Sequence, residues 1–368
     1  MMHWFGRRSG RDGSRPMLMR GSTGMAAGSA WPVTYEAQVR EAYLGNPIAQ
    51  RAVRVVAEGV ASAPLAGTAA AVALVQARSS GQELVETAAA HLLLHGNSYI
   101  QIIADGAGGV GELFALRPER VSIEADASGW PVAYRYRVGA NVTRIAAQDA
   151  GGRPALIHIR AFHPTDDHYG LGCMGAAAGA VAIHNAAARW NKALLDNAAR
   201  PSGALVHDPG DGGVLSADQF ARLRAEMDDA FAGAANAGRP MLLDGALKWQ
   251  AMSMTPADMD FAGLKAQAAR EIALAFGVPP MLLGLPGDNT FANYREANRA
   301  LWRQAIVPMG NRILTGIQQG LTPWLGEVAL AIDQDGVPAL GEDRERLWAR
   351  IGAADFLSVE EKRAMLGV

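Results

Sequence analysis

The chain has 368 residues, 49% of them hydrophobic, and a formal net charge of -2 at pH 7. That much apolar material supplies a substantial core in roughly two or three domains and excludes a disordered protein. The near-neutral balance excludes a protein that coats DNA by bulk positive charge, and the single cysteine, Cys173, excludes an intrachain disulfide framework and fits a reducing cytoplasm.

Residues 1–33 carry five arginines in the first twenty positions but no continuous apolar core, so they read as a flexible basic arm rather than a signal peptide. Apolar residues at helical spacing then predict helices over 48–60 and 82–95, the second stopped by Gly96. From Ser98 to Phe162 the runs SYIQII, LFALRPERVSIEA, VAYRYRV and ALIHIRAF alternate and are divided by DGAGG, SGWP and DAGGRP, the pattern of antiparallel strands in an α+β domain. The thirteen-residue apolar stretch from Leu171 to Ile183 is too short for a membrane span, which needs about 20 residues. It opens an Ala-rich helix over 175–200 with Pro201 as its stop.

A compact insert follows. Ser216 and Gln219 form a capping box for a helix through Phe231, and RPMLLDGALKWQAMS reads as a hairpin turning on Asp244-Gly245. Thr255 and Pro256 are the N-cap and first residue of another long helix, which ends at Gly277. The stretch GVPPMLLGLPGDNTFANYREA has the glycine-rich backbone of a phosphate-binding loop, yet from Gly277 to Tyr294 it contains no Lys or Arg and one acid, Asp288. Asn293 and Glu296 offer a capping box for a helix to about Ile317, and Pro308 inside it predicts a kink near Gln304. VALAI, residues 328–332, reads as a strand, and two short helices close the chain, the last opened by Ser358 and Glu361.

Motifs for chemistry are weak. Gly170, Gly172 and Gly175 match G-x-G-x-x-G, with Asp196 about twenty residues on, but eight residues separate Phe162 from Gly170 and Asp196 falls inside the same helix. Close packing of a helix against a neighbour is the better reading of these glycines. The run HIRAFHPTDDHYG collects three histidines and two aspartates, which suits either a metal site or a polar loop whose Asp or Thr caps a helix; without cysteine the loop is preferred. His91 and His95 lack the metalloprotease glutamate and read as packing or interface residues. No serine sits in G-x-S-x-G, and none of the four lysines follows a glycine, so there is neither a hydrolase elbow nor a Walker A loop. No catalytic residue, metal or cofactor is expected.

The order of elements, and the stretches GNPIAQRAVRVVAEGVASAPL (45–65), HLLLHGNSYIQII (91–103), LRPERVSI (116–123), GLGCMGAAAGAV (170–181), NAGRPMLLDGALKWQAMSMTPADMDF (236–261) and EIALAFGVPPMLLG (271–284), resemble the portal proteins of tailed bacteriophages, and in their short, Ala-rich form the portal of a gene transfer agent. The resemblance implies a portal fold: a wing over 34–170, stem helices over 171–200 and 256–278, a small α/β clip over 201–255, a tunnel loop and kinked tunnel helix over 279–325, and a wing return with a reduced crown over 326–368. It implies a homo-oligomeric ring, usually of twelve, at one capsid vertex, assembled in the bacterial cytoplasm. Its partners would be double-stranded DNA, the large terminase motor, the major capsid protein and a head-tail adaptor, with no membrane. Mapped onto this chain, Leu283, Gly284, Leu285, Pro286, Gly287, Asp288, Asn289, Thr290, Phe291, Ala292 and Asn293 form the DNA-facing loop, and Arg222, Arg224, Asp244 and Lys248 the motor and adaptor contacts. Cys173 and Met174 depart from the Ser and Pro that relatives often carry. The opposing readings are a nucleotide enzyme using Gly170–Gly175 and a capsid or tail adaptor without a channel.

Overall fold

The computed structural model describes residues 15–21, 34–196, 203–207, 216–231, 247–251, 261–285 and 290–366. The chain divides into two units, residues 1–178 with 272–368, and residues 179–271.

In the first unit α1 (Tyr35–Gln38) runs into a π turn, Val39–Leu44. Helix α2 (Pro47–Ser62) starts where Asn46 Oδ1 accepts from the N–H groups of Ile48 and Ala49, with Pro47 at a position whose N–H would be orphaned anyway. Strand β1 (Leu65–Gly67) and α3 (Ala69–Gln76) were not marked by the periodicity; α4 (Leu84–His95) was, and it stops as expected at Gly96, whose φ is +80°.

Six strands follow where four runs were expected: β2 (Asn97–Ala104), β3 (Val110–Leu116), β4 (Val121–Ala125), β5 (Pro131–Val138), β6 (Asn141–Ala146) and β7 (Leu156–Arg160). They make two antiparallel sheets, ordered β3-β2-β7 and β4-β5-β6. The run LFALRPERVSIEA is split because Pro118 opens a single 3-10 turn, Pro118–Arg120, that carries the chain from one sheet to the other. The missed strand β6 lies at a sheet edge and buries only Ile145, so it lacks the alternation that reveals a strand. Tyr99, Leu116, Val121, Tyr134, Ile145 and Leu156 form one core across both sheets.

The expectation of a flexible arm over 1–33 is corrected for residues 15–21, which lie docked on the β4-β5 turn. Leu18 N donates to Ser128 O, Trp130 Nε1 donates to Pro16 O at 2.9 Å, and the Arg15 and Arg20 guanidinium groups sit over the rings of Trp130 and Tyr169 at 4.7 and 5.1 Å. Two of the five arginines that suggested a solvated arm are used as cation–π clamps. The rest of that arm lies outside the described residues.

Helix α5 (Met174–Asp196) follows, and Pro201, its expected stop, lies outside the described residues. The second unit contains β8 (Gly203–His207), α6 (Ala217–Phe231), β9 (Leu247–Ala251) and most of α7 (Phe261–Ala275). The capping box opens α6 as expected: Ser216 N donates to Gln219 Oε1 and Gln219 N to Ser216 Oγ. Strand β9 pairs antiparallel with β8, Gly203 opposite Ala251, a partner the hairpin reading had not assigned. The Asp244-Gly245 turn and the Thr255–Pro256 start fall outside the described residues.

Back in the first unit, α8 (Phe291–Leu301) passes through a π turn, Trp302–Ile306, into α9 (Val307–Leu325), and β10 (Leu330–Ile332) pairs antiparallel with β1. Helix α9 extends two turns beyond the expected Ile317 because Leu321 is still buried and Thr322 Oγ1 donates back to Gln318 O. It lies so close to β7 that a Cβ at Gly320 would stand 2.4 Å from the Ile157 side chain. Helices α10 (Gly341–Gly352) and α11 (Val359–Leu366) end the chain, with Ser358 and Glu361 capping α11 as expected.

Asn97, wholly buried, fastens the entry to α5. Its Nδ2 donates to Gly170 O and His95 O, and its Oδ1 accepts from Gly170 N at 2.7 Å and from His158 Nε2 at 3.0 Å. A Cβ on Gly170 would stand 2.0 Å from Gly96 O and one on Gly172 2.5 Å from Leu94 O, whereas one on Gly175 would meet nothing within 4 Å. The first two glycines are therefore packing glycines.

Three histidines around this point are held neutral. Burial, the main cause in each, lowers His91 and His95 to about 4 and His158 to about 3; His91 Nδ1 is buried without a hydrogen-bond partner. Folded values below the unfolded value of about 6.5 mean that these groups contribute stability above that pH and withdraw it as pH falls towards 4, on the order of 1 kcal/mol per pH unit for each. The melting temperature is expected to drop between pH 7.5 and 5, and less steeply in His91→Leu. Equal slopes in melts of the two proteins would contradict the assignment.

Candidate functional site

The segment from Phe276 to Ile306 holds two backbone stops, a helix start, α8 and a π turn. Helix α7 ends in a Schellman motif: Gly277 has φ +68°, its N–H donates to Leu274 O, and Val278 N donates to Ala273 O at 2.9 Å. Pro279 cannot continue the helix, and a 3-10 turn, Pro280–Leu283, follows. It is closed in the same way, with Gly284 at φ +74° and Leu285 N donating to Pro280 O. Met281, Leu282, Leu283 and Leu285 are half-buried and Gly284 is exposed.

Across the loop α8 begins at Thr290, not at Asn293. The Thr290 hydroxyl accepts from Asn293 N at 3.2 Å, and Tyr294 N donates to Thr290 O. The expected loop of Leu283–Asn293 is thus corrected at both ends: Leu283 closes the 3-10 turn, Gly284 is its cap, and Phe291, Ala292 and Asn293 belong to the first turn of α8. Threonine outcompetes asparagine because the N-cap needs extended backbone, which Thr290 has at φ -84° and ψ 155°. Pro286, Gly287, Asp288 and Asn289 lie outside the described residues.

Behind the loop, Glu342 of α10 ties down α8. Arg295 Nη1 approaches Glu342 Oε1 at 3.0 Å and Arg299 Nη2 approaches Oε2 at 2.6 Å, while Arg299 also bonds Glu296 at 3.0 Å. The hydrogen bond from Arg299, then the charges of Arg295 and Arg299, hold the Glu342 carboxyl below its usual range. Sequence reading missed this tether because its partners are more than forty positions apart. Further on, the predicted irregularity falls where expected: the π turn spans Gln304, the residue whose carbonyl Pro308 cannot engage.

In the second unit Arg222 and Arg224 are exposed on α6, as is Phe220 at 60%. Lys248 sits on β9 opposite Val206, and Asp244 lies outside the described residues.

The polar run before α5 is a structural turn. Asp166 Oδ1 accepts from the N–H groups of His168 and Tyr169, and Asp167 Oδ2 from Met19 N. Burial alone would raise the Asp166 carboxyl, but backbone donors from Tyr169, His168 and Gly21 outweigh it and hold it below its usual range. The expectation that Asp or Thr here caps a helix is corrected, since Cys173 O accepts from Ala177 N at the start of α5. Among the described residues no group of three or more His, Cys, Asp or Glu is placed to hold a metal, and no helix is long and apolar enough to cross a membrane.

The chain belongs to the phage portal protein family, whose model matches residues 47–367. It is similar to a chain in the virion of a native gene transfer agent particle, 47% identical with a TM-score of 0.71, covering 93% of this chain and 96% of that one. A chain from the neck of a native particle computed with C12 symmetry is 46% identical, with a TM-score of 0.71 and coverage of 94% and 96%. An uncharacterised protein of Rickettsia bellii is 40% identical over 290 residues, 78% of this chain and 74% of its own. A probable portal protein of Streptomyces phage phiC31 is 27% identical over 284 residues, 74% of this chain and 60% of its own.

The placement of the helix start is testable. Thr290→Ala is expected to cost about 1 kcal/mol and to raise amide hydrogen exchange over residues 291–294. Unchanged exchange there would place the cap elsewhere.

Proposed function

We propose that this chain is the portal subunit of a gene transfer agent type of particle. It forms a homo-oligomeric ring, of twelve copies, at one capsid vertex, and double-stranded DNA passes through that ring during packaging and exit. The observation that carries this reading is the 47% identity, over 93% of the chain, to a chain of a gene transfer agent virion. The C12 symmetry of the neck containing a 46% identical chain supports the ring number. Its role is that of a conduit and platform, without catalysis of its own.

Within this reading residues 34–170 are the wing, α5 and α7 the stem, 201–255 the clip, the loop and α8 to α9 the tunnel wall, and 326–368 the wing return and a reduced crown. The clip takes the terminase motor and then the head-tail adaptor, and the major capsid protein surrounds the ring. The exposed arginines of α6, Arg222 and Arg224, support a contact role for the clip.

The loop is suited to weak contact with moving DNA. A duplex presents phosphates continuously, and every basic contact adds a counterion-release term that must be broken at each step. From Gly277 to Tyr294 there is no Lys or Arg, so a ring of loops offers backbone, neutral polar groups and one carboxylate per subunit from Asp288.

Deleting Gly284–Asn289 is expected to leave the ring assembled and to impair DNA filling or retention, while Asp288→Lys slows passage more at low salt than at high. Particles that fill and hold DNA normally without the loop would make it a mere connector. Charge reversal at Arg222, Arg224, Asp244 and Lys248 is expected to block motor docking in a packaging assay with rings intact; undiminished packaging would remove the clip assignment.

A further inference from the structure

Strand β6 is an outer strand of the β4-β5-β6 sheet and pairs with β5 alone, without a bulge. Val138 stands opposite Asn141, so the hairpin turns on two residues, Gly139 and Ala140, the first at φ +60°. The pair that closes such a turn is hydrogen-bonded, and bonded pairs then alternate with non-bonded ones along the ladder. Asn141, Thr143 and Ile145 therefore direct their N–H and C=O groups to β5, and Val142, Arg144 and Ala146 direct theirs away from it. These last three residues are exposed, and among the described residues their outward backbone groups have no hydrogen-bond partner.

An open edge invites pairing, and folded proteins block it with Pro, Lys, a bulge or a covering side chain. Residues 141–146 contain neither Pro nor Lys. Their one charged residue, Arg144, is drawn off the edge: its Nη2 and Nε donate to Glu124 Oε1 and Oε2 at 3.0 and 3.2 Å, across the intervening strand to β4. The opposite edge of the same sheet is closed. There Ile123 N donates to Tyr169 Oη at 3.1 Å, so a side chain stands where a further strand would pair.

The side chains beside the open edge define what fits it. Arg135, Arg137 and Arg144 share the outer face of the sheet with one acid, Glu124, which Arg135 and Arg144 both bond. Arg137 is exposed directly opposite Val142 and has no hydrogen bond or ion pair among the described residues. A strand added at β6 sets every second side chain beside Val142 and Arg144 on this face, where acids are attracted and bases repelled. Pairing of β6 with β6 of a second copy needs a two-fold axis, which adjacent members of a C12 ring lack; that exclusion rests on the portal reading above.

We propose that the β6 edge is a docking site for an extended segment of another protein, added as a fourth strand and carrying acidic side chains at alternate positions. Backbone hydrogen bonds to Val142, Arg144 and Ala146 supply the attachment, and Arg137 with its neighbours selects the charge.

The test uses the purified assembled protein and two capped peptides, one of alternating Thr and Glu and one of alternating Thr and Lys. Before peptide is added, the amides of Val142, Arg144 and Ala146 are expected to exchange fast and those of Thr143 and Ile145 slowly. The Glu peptide is expected to slow the first three about tenfold and the Lys peptide to leave them unchanged. Val142→Pro removes an outward N–H at an edge position where proline is tolerated, and is expected to weaken Glu-peptide binding about tenfold. Arg137→Glu is expected to weaken it about as much while every backbone group stays in place. No slowing by the Glu peptide, equal slowing by both peptides, or unchanged affinity in Arg137→Glu overturns the proposal, whether or not Val142→Pro folds. So does slow exchange of the three edge amides before any peptide is added, which would mean that a second copy covers the edge. Failure of the portal reading has a different signature, a wild-type protein that forms no ring.

Discussion

The buried amide of Asn97 is the contact on which the first unit depends. It stands at the end of α4 and the start of β2, and joins them to β7 through His158 and to the segment before α5 through both backbone groups of Gly170. Every one of its hydrogen-bonding atoms is used, in a place where an unpaired polar group would cost about 1–3 kcal/mol. The approach is possible only because Gly96, Gly170 and Gly172 lack side chains. The segment that leads into α5 is therefore held by a polar knot. Tyr99, stacked on His158 at 4.3 Å, transmits the same constraint into the core between the two sheets.

A second constraint governs the loop. Backbone stops at Gly277 and Gly284 end the turns before it, a side-chain cap at Thr290 starts α8, and the ion pairs from Glu342 anchor that helix. These ion pairs are partly exposed, so each adds modestly to stability, but Glu342 receives two arginines at once and fixes their geometry.

Features encoded by neighbouring residues were legible in the sequence. The stop at Gly96, the capping boxes at Ser216 and Ser358, the antiparallel strands and the irregularity around Gln304 all rest on residues within a few positions of each other. What was not legible depends on distant partners. Strand β1 is three residues long and exists because β10, more than 260 positions later, supplies its hydrogen bonds. The pairing of β8 with β9 and the docking of residues 15–21 on Trp130 are of the same kind. The start of α8 was misplaced by three residues because Asn293 and Thr290 are both competent caps, and backbone conformation decides between them. The motif G-x-G-x-x-G misleads for a related reason: glycine permits close approach to any backbone, and here the backbone is the chain's own.

The proposed role has meaning only if many copies surround one passage. The most direct measurement is the native mass of the purified protein together with electron micrographs of the same sample. The account predicts closed rings of twelve copies around a bore wide enough for a duplex. A stable monomer at micromolar concentration, or a closed assembly without a bore, would contradict it.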